Sequence, residues 1–122
     1  MTKKSILIVE DESIIAMELE ARVEDFGYIS LGSASSAEEA LAIIECKRPS
    51  VVLLDINIEG EINGLELAQK IRELYSLPFI FLSAYNNESH IQRATELGAV
   101  AFLNKPFLDE ELQSAIESAL AC

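Results

Sequence analysis

The chain has 122 residues, half of them hydrophobic, which is enough for one domain with its own core. Its 21 acidic residues outnumber nine basic ones and give a net charge of −12. This argues against direct binding of nucleic acid, which needs a basic patch. Two cysteines do not make a disulfide framework, and no apolar run approaches the roughly 20 residues that cross a bilayer. No targeting segment is recognisable, so we expect a cytoplasmic protein that does not bind membranes.

Short β-branched runs alternate with helical patterns along the chain. The strands are predicted at residues 5–9, 28–34, 51–54, 79–82 and 100–103. The helices are predicted at residues 13–26, from 37 to shortly before 49, at 64–75, at 88–97, and after 109. Continuous apolar runs of this kind are typical of strands buried on both faces of a parallel sheet. The alternation predicts right-handed βαβ crossovers and a single three-layer α/β domain over residues 1–122.

Local signals refine the helix predictions. Ser36 and Glu39 have the spacing of a capping box at the start of the second helix. Asp109 is expected to cap the last helix, and Leu74 is expected on the buried face of the third. Cys46 lies in an apolar helical stretch and is interpreted as a small core or boundary residue.

Polar groups follow four of the predicted strands. They are Glu10 and Asp11 after the first strand, Asp55 after the third, Ser83 after the fourth, and Lys105 with Pro106 after the fifth. In such sheets the ligand site lies in the crevice beyond the carboxyl ends of the strands. Crowded carboxylates repel unless a cation lies among them, and oxygen ligands without sulfur or imidazole favour Mg²⁺ or Mn²⁺. The pattern therefore predicts a site for a metal and a phosphoryl group.

Each of these signals has an ordinary explanation when taken alone. Glu10 and Asp11 would complement the dipole of the first helix. Ser83 would be a turn hydroxyl, and Lys105 would be a surface amine. The single histidine, His90, is expected to be exposed on the fourth helix. The joint placement at four strand ends is what points to a common site.

The segments ILIVED, VVLLD, LSA and NKPF follow one another in this order. Over essentially its whole length, the chain resembles the receiver domain of two-component response regulators. The resemblance implies a flavodoxin-like α/β/α sandwich, in which five helices surround a five-stranded parallel sheet of order 2-1-3-4-5. It also implies that Asp55 is the phosphorylated residue.

The resemblance further implies how the site works. The carboxylates of Asp11 and Asp55 and the backbone carbonyl of Asn57 would bind Mg²⁺ or Mn²⁺ directly, with Glu10 acting through a water. Lys105 would pair with a phosphoryl oxygen.

The resemblance also implies a conformational switch. Ser83 would donate a hydrogen bond to another phosphoryl oxygen, and Phe102 would then turn inward. This movement changes the face formed by the fourth helix, fifth strand and fifth helix, as a shift between two existing states. Pro106 would support the loop that carries Lys105.

The implied function is that of a phosphoacceptor switch and not of an enzyme, beyond self-phosphorylation from a donor and slow autodephosphorylation. Its partners would be a sensor histidine kinase or a histidine phosphotransfer protein. The output domain or effector is not identified by the sequence, and the domain either stands alone or belongs to a longer protein. A phosphorylation-linked homodimer is consistent with the resemblance.

The chain departs from the commonest family pattern at three positions. The loop after Asp55 is one residue longer and has Glu59 in place of a proline. Phe102 stands where tyrosine is also common. Tyr85, two residues past Ser83, is predicted to slow hydrolysis of the acyl phosphate by restricting access of water.

Two other functions fit a similar sheet. A Mg²⁺-dependent phosphohydrolase would also use Asp55 as a nucleophile, but that class needs an acid two residues later, where this chain has Asn57. A flavin or nucleotide carrier would need a glycine-rich phosphate loop, which the sequence does not contain.

Overall fold

A computed structural model describes residues 3–58, 60–84 and 88–121. The described residues form five strands, which are β1 (Ser5–Val9), β2 (Ile29–Ala34), β3 (Val51–Asp55), β4 (Phe79–Ser83) and β5 (Ala101–Asn104). They also form five helices, which are α1 (Ser13–Asp25), α2 (Ala37–Lys47), α3 (Gly64–Tyr75), α4 (Glu88–Glu96) and α5 (Asp109–Leu120). The predicted boundaries agree with these to within one residue.

The five strands form one parallel sheet of order β2-β1-β3-β4-β5. Residues of α1 and α5 pack on one face of the sheet, and residues of α2, α3 and α4 pack on the other. The predicted flavodoxin-like α/β/α sandwich is therefore confirmed. None of the helices in the described part of the chain is both long and apolar enough to cross a membrane.

The central strands explain the continuous apolar runs. Successive side chains of a strand point to opposite faces of the sheet, so a strand covered on both faces buries all of them. In β1, Leu7 and Val9 enter the core beneath α2 and α3, whereas Ile6 and Ile8 enter the core beneath α1 and α5. Each such side chain contributes roughly 1.5–3 kcal/mol by its burial.

Two predictions about buried helix faces are wrong. Leu74 is 64% exposed, because the buried stripe of α3 runs through Leu67 and Ile71 and continues at Tyr75, whose ring packs against the core. Cys46 is exposed, because it lies two residues beyond the buried Ile44 and therefore on the opposite side of α2.

The start of α5 also differs from the prediction. Asp109 is the first residue of the helix and not its cap. The cap residue is Leu108, whose backbone N–H donates to the Glu111 carboxylate over 2.9 Å. The side chain of Asp109 instead accepts a hydrogen bond from Arg22 of α1.

The capping box predicted for α2 forms only in part. Ser36 accepts a hydrogen bond from the backbone N–H of Glu39, as predicted, but the Glu39 carboxylate bonds to Ser35 instead of returning to Ser36. His90 is half-buried and not exposed, and its Nδ1 atom has no hydrogen-bond partner in the described part of the chain.

Candidate functional site

The three acids predicted to share a site come together at the carboxyl edge of the sheet. Val9 of β1 pairs with Leu54 of β3, so the residues that follow them leave the sheet side by side. One carboxylate oxygen from each of Glu10, Asp11 and Asp55 lies within 4.8 Å of the others. Such an all-oxygen donor set has the chemistry that a hard divalent cation requires.

Lys105 reaches this cluster from the far side of β4. Its Nζ atom donates to Glu10 Oε1 over 2.8 Å and to Asp55 Oδ2 over 3.0 Å. The backbone N–H of Lys105 donates to the carbonyl oxygen of Ser83 over 2.7 Å, which fixes the start of the loop after β5. The peptide bond between Lys105 and Pro106 is cis. The chain thus places one ammonium group between two of the three carboxylates.

Both carboxylate oxygens of Asp55 have a donor from the protein. Oδ2 accepts from Lys105, and Oδ1 accepts from the backbone N–H of Asn57 over 3.0 Å. Each oxygen has a second lone pair, and the side chain keeps 13% of its surface exposed. Asp55 is therefore oriented by the protein and still open to solvent.

Burial shifts the pKa values of Glu10 and Lys105, the two charged partners that lie beside Asp55. It raises the pKa of the Glu10 carboxyl to about 7. The hydrogen bond from Lys105 opposes this rise, and the neighbouring Asp55 adds to it. Burial alone would lower the pKa of Lys105, but its hydrogen bonds to Glu10 and Asp55 outweigh burial and raise it. The site therefore holds a positive ammonium beside a carboxyl that resists ionisation.

The two predicted switch residues lie on the strands that complete this edge. Ser83 ends β4, is fully buried, and directly follows Leu82, the register partner of Asp55. Phe102 in β5 is half-buried, and its ring centroid lies 6.3 Å from that of Phe81. The predicted roles of both residues in a switch, and of the Asn57 carbonyl in metal binding, stay predictions. The predictions at Glu59 and Tyr85 lie outside the described residues.

An open cleft of roughly 310 Å³ gives access to Asp55. Its lining includes Asp11, Asn57 and Lys105, and also Glu12 and Ala84, which the sequence pattern did not single out. Two further residues were missed. Gly64 packs on the backbone of Asp55, and Arg22 contacts the loop after Lys105. A glycine at a helix start was a signal for the first, whereas Arg22 looked like any helix-surface arginine.

Comparison with known families decides what kind of α/β protein carries this site. Residues 6–117 match the family model of the response regulator receiver domain. The chain belongs to this family. It is thus a receiver domain of two-component signalling, as the sequence motifs indicated.

The receiver domain matches parts of longer regulators. It is 32% identical over 118 residues to the transcriptional regulatory protein PdtaR of Mycobacterium tuberculosis, covering 97% of this chain and 57% of that protein. It is 38% identical over 117 residues to the phyllosphere-induced regulator PhyR of Methylorubrum extorquens, covering 94% and 43%. The chain thus spans about half the length of these curated relatives.

Solved structures agree with this assignment. The signal receiver domain of a modulated diguanylate cyclase from Desulfovibrio desulfuricans is 32% identical with a TM-score of 0.90, over 98% of this chain and 95% of that one. A receiver domain protein from Methanospirillum hungatei is 29% identical, also with a TM-score of 0.90 and the same coverage.

Proposed function

We propose that this receiver domain accepts a phosphoryl group on Asp55 in a Mg²⁺-dependent reaction and thereby controls an output partner. The observation that carries the proposal is the placement of the Lys105 ammonium between Glu10 and Asp55, where Lys105 and Asp55 line an open cleft. This arrangement leaves one oriented carboxylate accessible and supplies positive charge where a phosphoryl group would arrive.

The proposed transfer is a single displacement at phosphorus. A carboxylate oxygen of Asp55 forms a bond to phosphorus while the bond from phosphorus to the donor's imidazole nitrogen breaks. The imidazole keeps the electron pair. In the loose transition state, charge spreads over the equatorial oxygens, and Lys105 offsets it. The N–H of Asn57 holds the attacking carboxylate in orientation.

The donor set fits Mg²⁺ or Mn²⁺. Asp11, Asp55 and the Asn57 carbonyl would hold the ion directly, and Glu10 would act through a water. When bound, the ion supplies positive charge that reduces the repulsion between the Asp55 carboxylate and the incoming phosphoryl oxygens. The Lys105 ammonium, which bonds to Asp55, adds further positive charge.

The response to phosphorylation is proposed to travel through Ser83 and Phe102. The acyl phosphate adds acceptor oxygens at Asp55, and the hydroxyl of Ser83 donates to one of them. Phe102 then turns inward and changes the face formed by α4, β5 and α5. Phosphorylation contributes only the difference in contacts between the two states, so the switch is a change in their populations.

A histidine kinase or a histidine phosphotransfer protein is the proposed phosphodonor, and the cytoplasm is the proposed location. Relatives that extend beyond the matched region are named as regulators, so an output effector, in the same protein or in another, is proposed to read the α4-β5-α5 face. A phosphorylation-linked homodimer is one proposed form of readout. The domain itself is proposed to turn over no small-molecule substrate, since Asn57 cannot act as a general acid.

Intact-mass spectrometry tests the proposal. The folded protein, incubated with acetyl phosphate and Mg²⁺, should gain the mass of one phosphoryl group, and Asp55→Asn should gain none. An unmodified mass for the wild type under saturating donor and Mg²⁺ would remove the proposed function.

A further inference from the structure

Arg22, in the last turn of α1, makes three contacts with the loop between β5 and α5 and with the first residue of α5. Its Nη2 atom donates to the carbonyl oxygen of Phe107 over 3.2 Å. Its Nε donates to the Asp109 carboxylate over 2.7 Å. Its guanidinium lies 4.8 Å from the centroid of the Phe107 ring. One side chain thus holds a backbone atom, a ring and a helix start.

These contacts differ in how strongly they constrain the loop. The partners of Arg22 in ion pairs, Glu18 and Asp109, are 67% and 65% exposed, so those pairs add little stability. The Arg22 side chain itself is only 19% exposed. Its planar fork can satisfy a carbonyl while it stacks on an aromatic ring, which a lysine cannot reproduce. The contacts to Phe107 therefore carry most of the constraint.

The loop is held on both sides of Lys105. On the strand side, the Lys105 N–H donates to Ser83 over 2.7 Å. On the helix side, Phe107, two residues later, is held by Arg22. Lys105 Nζ bonds to both carboxylates at once, and it can do so only while the backbone of the loop holds the base of the side chain within reach of both. The second anchor is supplied by Arg22.

We propose that Arg22 is a positioning residue for Lys105. Through the β5–α5 loop it keeps the ammonium within hydrogen-bond distance of Glu10 and Asp55, and it thereby sets the rate of phosphoryl transfer without touching the phosphoryl group. The predicted effect on the rate of phosphoryl transfer rests on the proposed function, whereas the predicted effect on the position of the loop rests on geometry alone.

The decisive variants are Arg22→Met, which keeps an apolar stem on Phe107 and loses the fork, and Arg22→Lys, which keeps stem and charge. The matched control is Arg72→Met. Arg72 also donates to a backbone carbonyl of another element, that of Glu96, over 3.0 Å. It lies beside Pro78 and Phe79, where β4 begins. This is the amino end of the strands, whereas Asp55 lies at their carboxyl end.

The rate of phosphorylation by acetyl phosphate at saturating Mg²⁺ is measured for each variant, alone and combined with Lys105→Met. Arg22→Met should lower the maximal rate about tenfold, with Arg22→Lys between it and wild type and Arg72→Met unchanged. Because Arg22 acts through Lys105, its loss should change the rate by less than about twofold when Lys105 is already methionine. An equal loss in both backgrounds would overturn the proposal.

Hydrogen exchange of the Lys105 amide gives a second, independent readout. This amide should exchange faster in Arg22→Met than in wild type or Arg72→Met, whether or not the protein accepts phosphate. Unchanged exchange would overturn the positioning role, and it decides the matter where the Lys105→Met rate is too slow to measure. A wild type that is not phosphorylated would instead remove the proposed function and leave the exchange comparison to judge Arg22.

Discussion

Gly64 lies directly against Asp55: a Cβ atom on Gly64 would collide with the Asp55 carbonyl oxygen. The backbone N–H of Gly64 also donates to the carbonyl of Ile56 over 2.7 Å. The loop after β3 therefore returns to its own start, and the first turn of α3 rests on the backbone of Asp55. This contact requires a residue without a side chain at position 64.

Gly64→Ala should destabilise the fold and displace Asp55. The added methyl meets rigid backbone, so we expect a loss of about 3 kcal/mol in the free energy of unfolding, measured by urea denaturation. The control is Gly27→Ala, where the space is open and only the positive φ of 97° adds strain, worth roughly 1 kcal/mol. Equal losses in the two variants would show that the close approach at Asp55 is unimportant.

The stability of the metal-free protein should depend on Glu10. Its pKa is 4.5 when unperturbed and about 7 in the fold, so between these values the folded state holds a proton that the unfolded chain has released. This contribution is complete below pH 4.5 and is lost as the pH rises through 7. Its loss lowers the free energy of unfolding by roughly 3 kcal/mol as the pH rises across that window.

Urea denaturation at a series of pH values, with a chelator present, measures this dependence. Glu10→Gln should remove the decline, because an amide does not titrate. Glu24→Gln, at an exposed position of α1, should keep the wild-type profile. A Glu10→Gln profile parallel to that of wild type would contradict the assignment.

Mg²⁺ should stabilise the folded protein through Asp11. An ion present at about 100 times its dissociation constant adds about 2.7 kcal/mol to the free energy of unfolding. Asp11→Asn should lose most of this gain, whereas Glu12→Gln, at the adjacent residue of the same cleft but outside the carboxylate cluster, should keep it. Thermal unfolding with and without Mg²⁺ makes the comparison. The same gain in both variants would place the ion elsewhere.

Phe102→Ala should separate phosphorylation from response. The ring packs near Phe81 and supplies neither a ligand nor a charge to the carboxylate cluster, so the phosphorylation rate should stay within about twofold of wild type. The amide shifts that beryllofluoride induces in α4, β5 and α5 should be greatly reduced. Leu103→Ala, which removes a side chain packed on the other face of the sheet, is the control and should keep those shifts. A full response in Phe102→Ala would remove its role as a switch.

The central strands were predictable because burial on both faces leaves little choice of residue. Leu7 and Ile8 are apolar for the same reason, although they enter different cores. Glu10 and Asp55 could be predicted as site candidates because each follows directly after a strongly apolar run. The structure then shows that the two strands are neighbours in the sheet.

Other features depend on tertiary contacts that leave no local pattern. Leu74 has the spacing of a core residue, but the stripe of α3 continues at Tyr75. Asp109 has the chemistry of a helix cap, but Arg22, 87 residues earlier in the chain, takes its carboxylate. Such local helix preferences are outweighed by tertiary contacts that the spacing of residues in the sequence does not reveal.

Chemical trapping of the phosphorylated residue tests the central claim most directly. Borohydride reduces an aspartyl phosphate to homoserine, which peptide sequencing by mass spectrometry locates. After treatment with acetyl phosphate and Mg²⁺, homoserine should appear at position 55 and should disappear when Mg²⁺ is chelated. Homoserine at Asp11 or at any other aspartate, or at position 55 to the same extent without a divalent ion, would contradict the account.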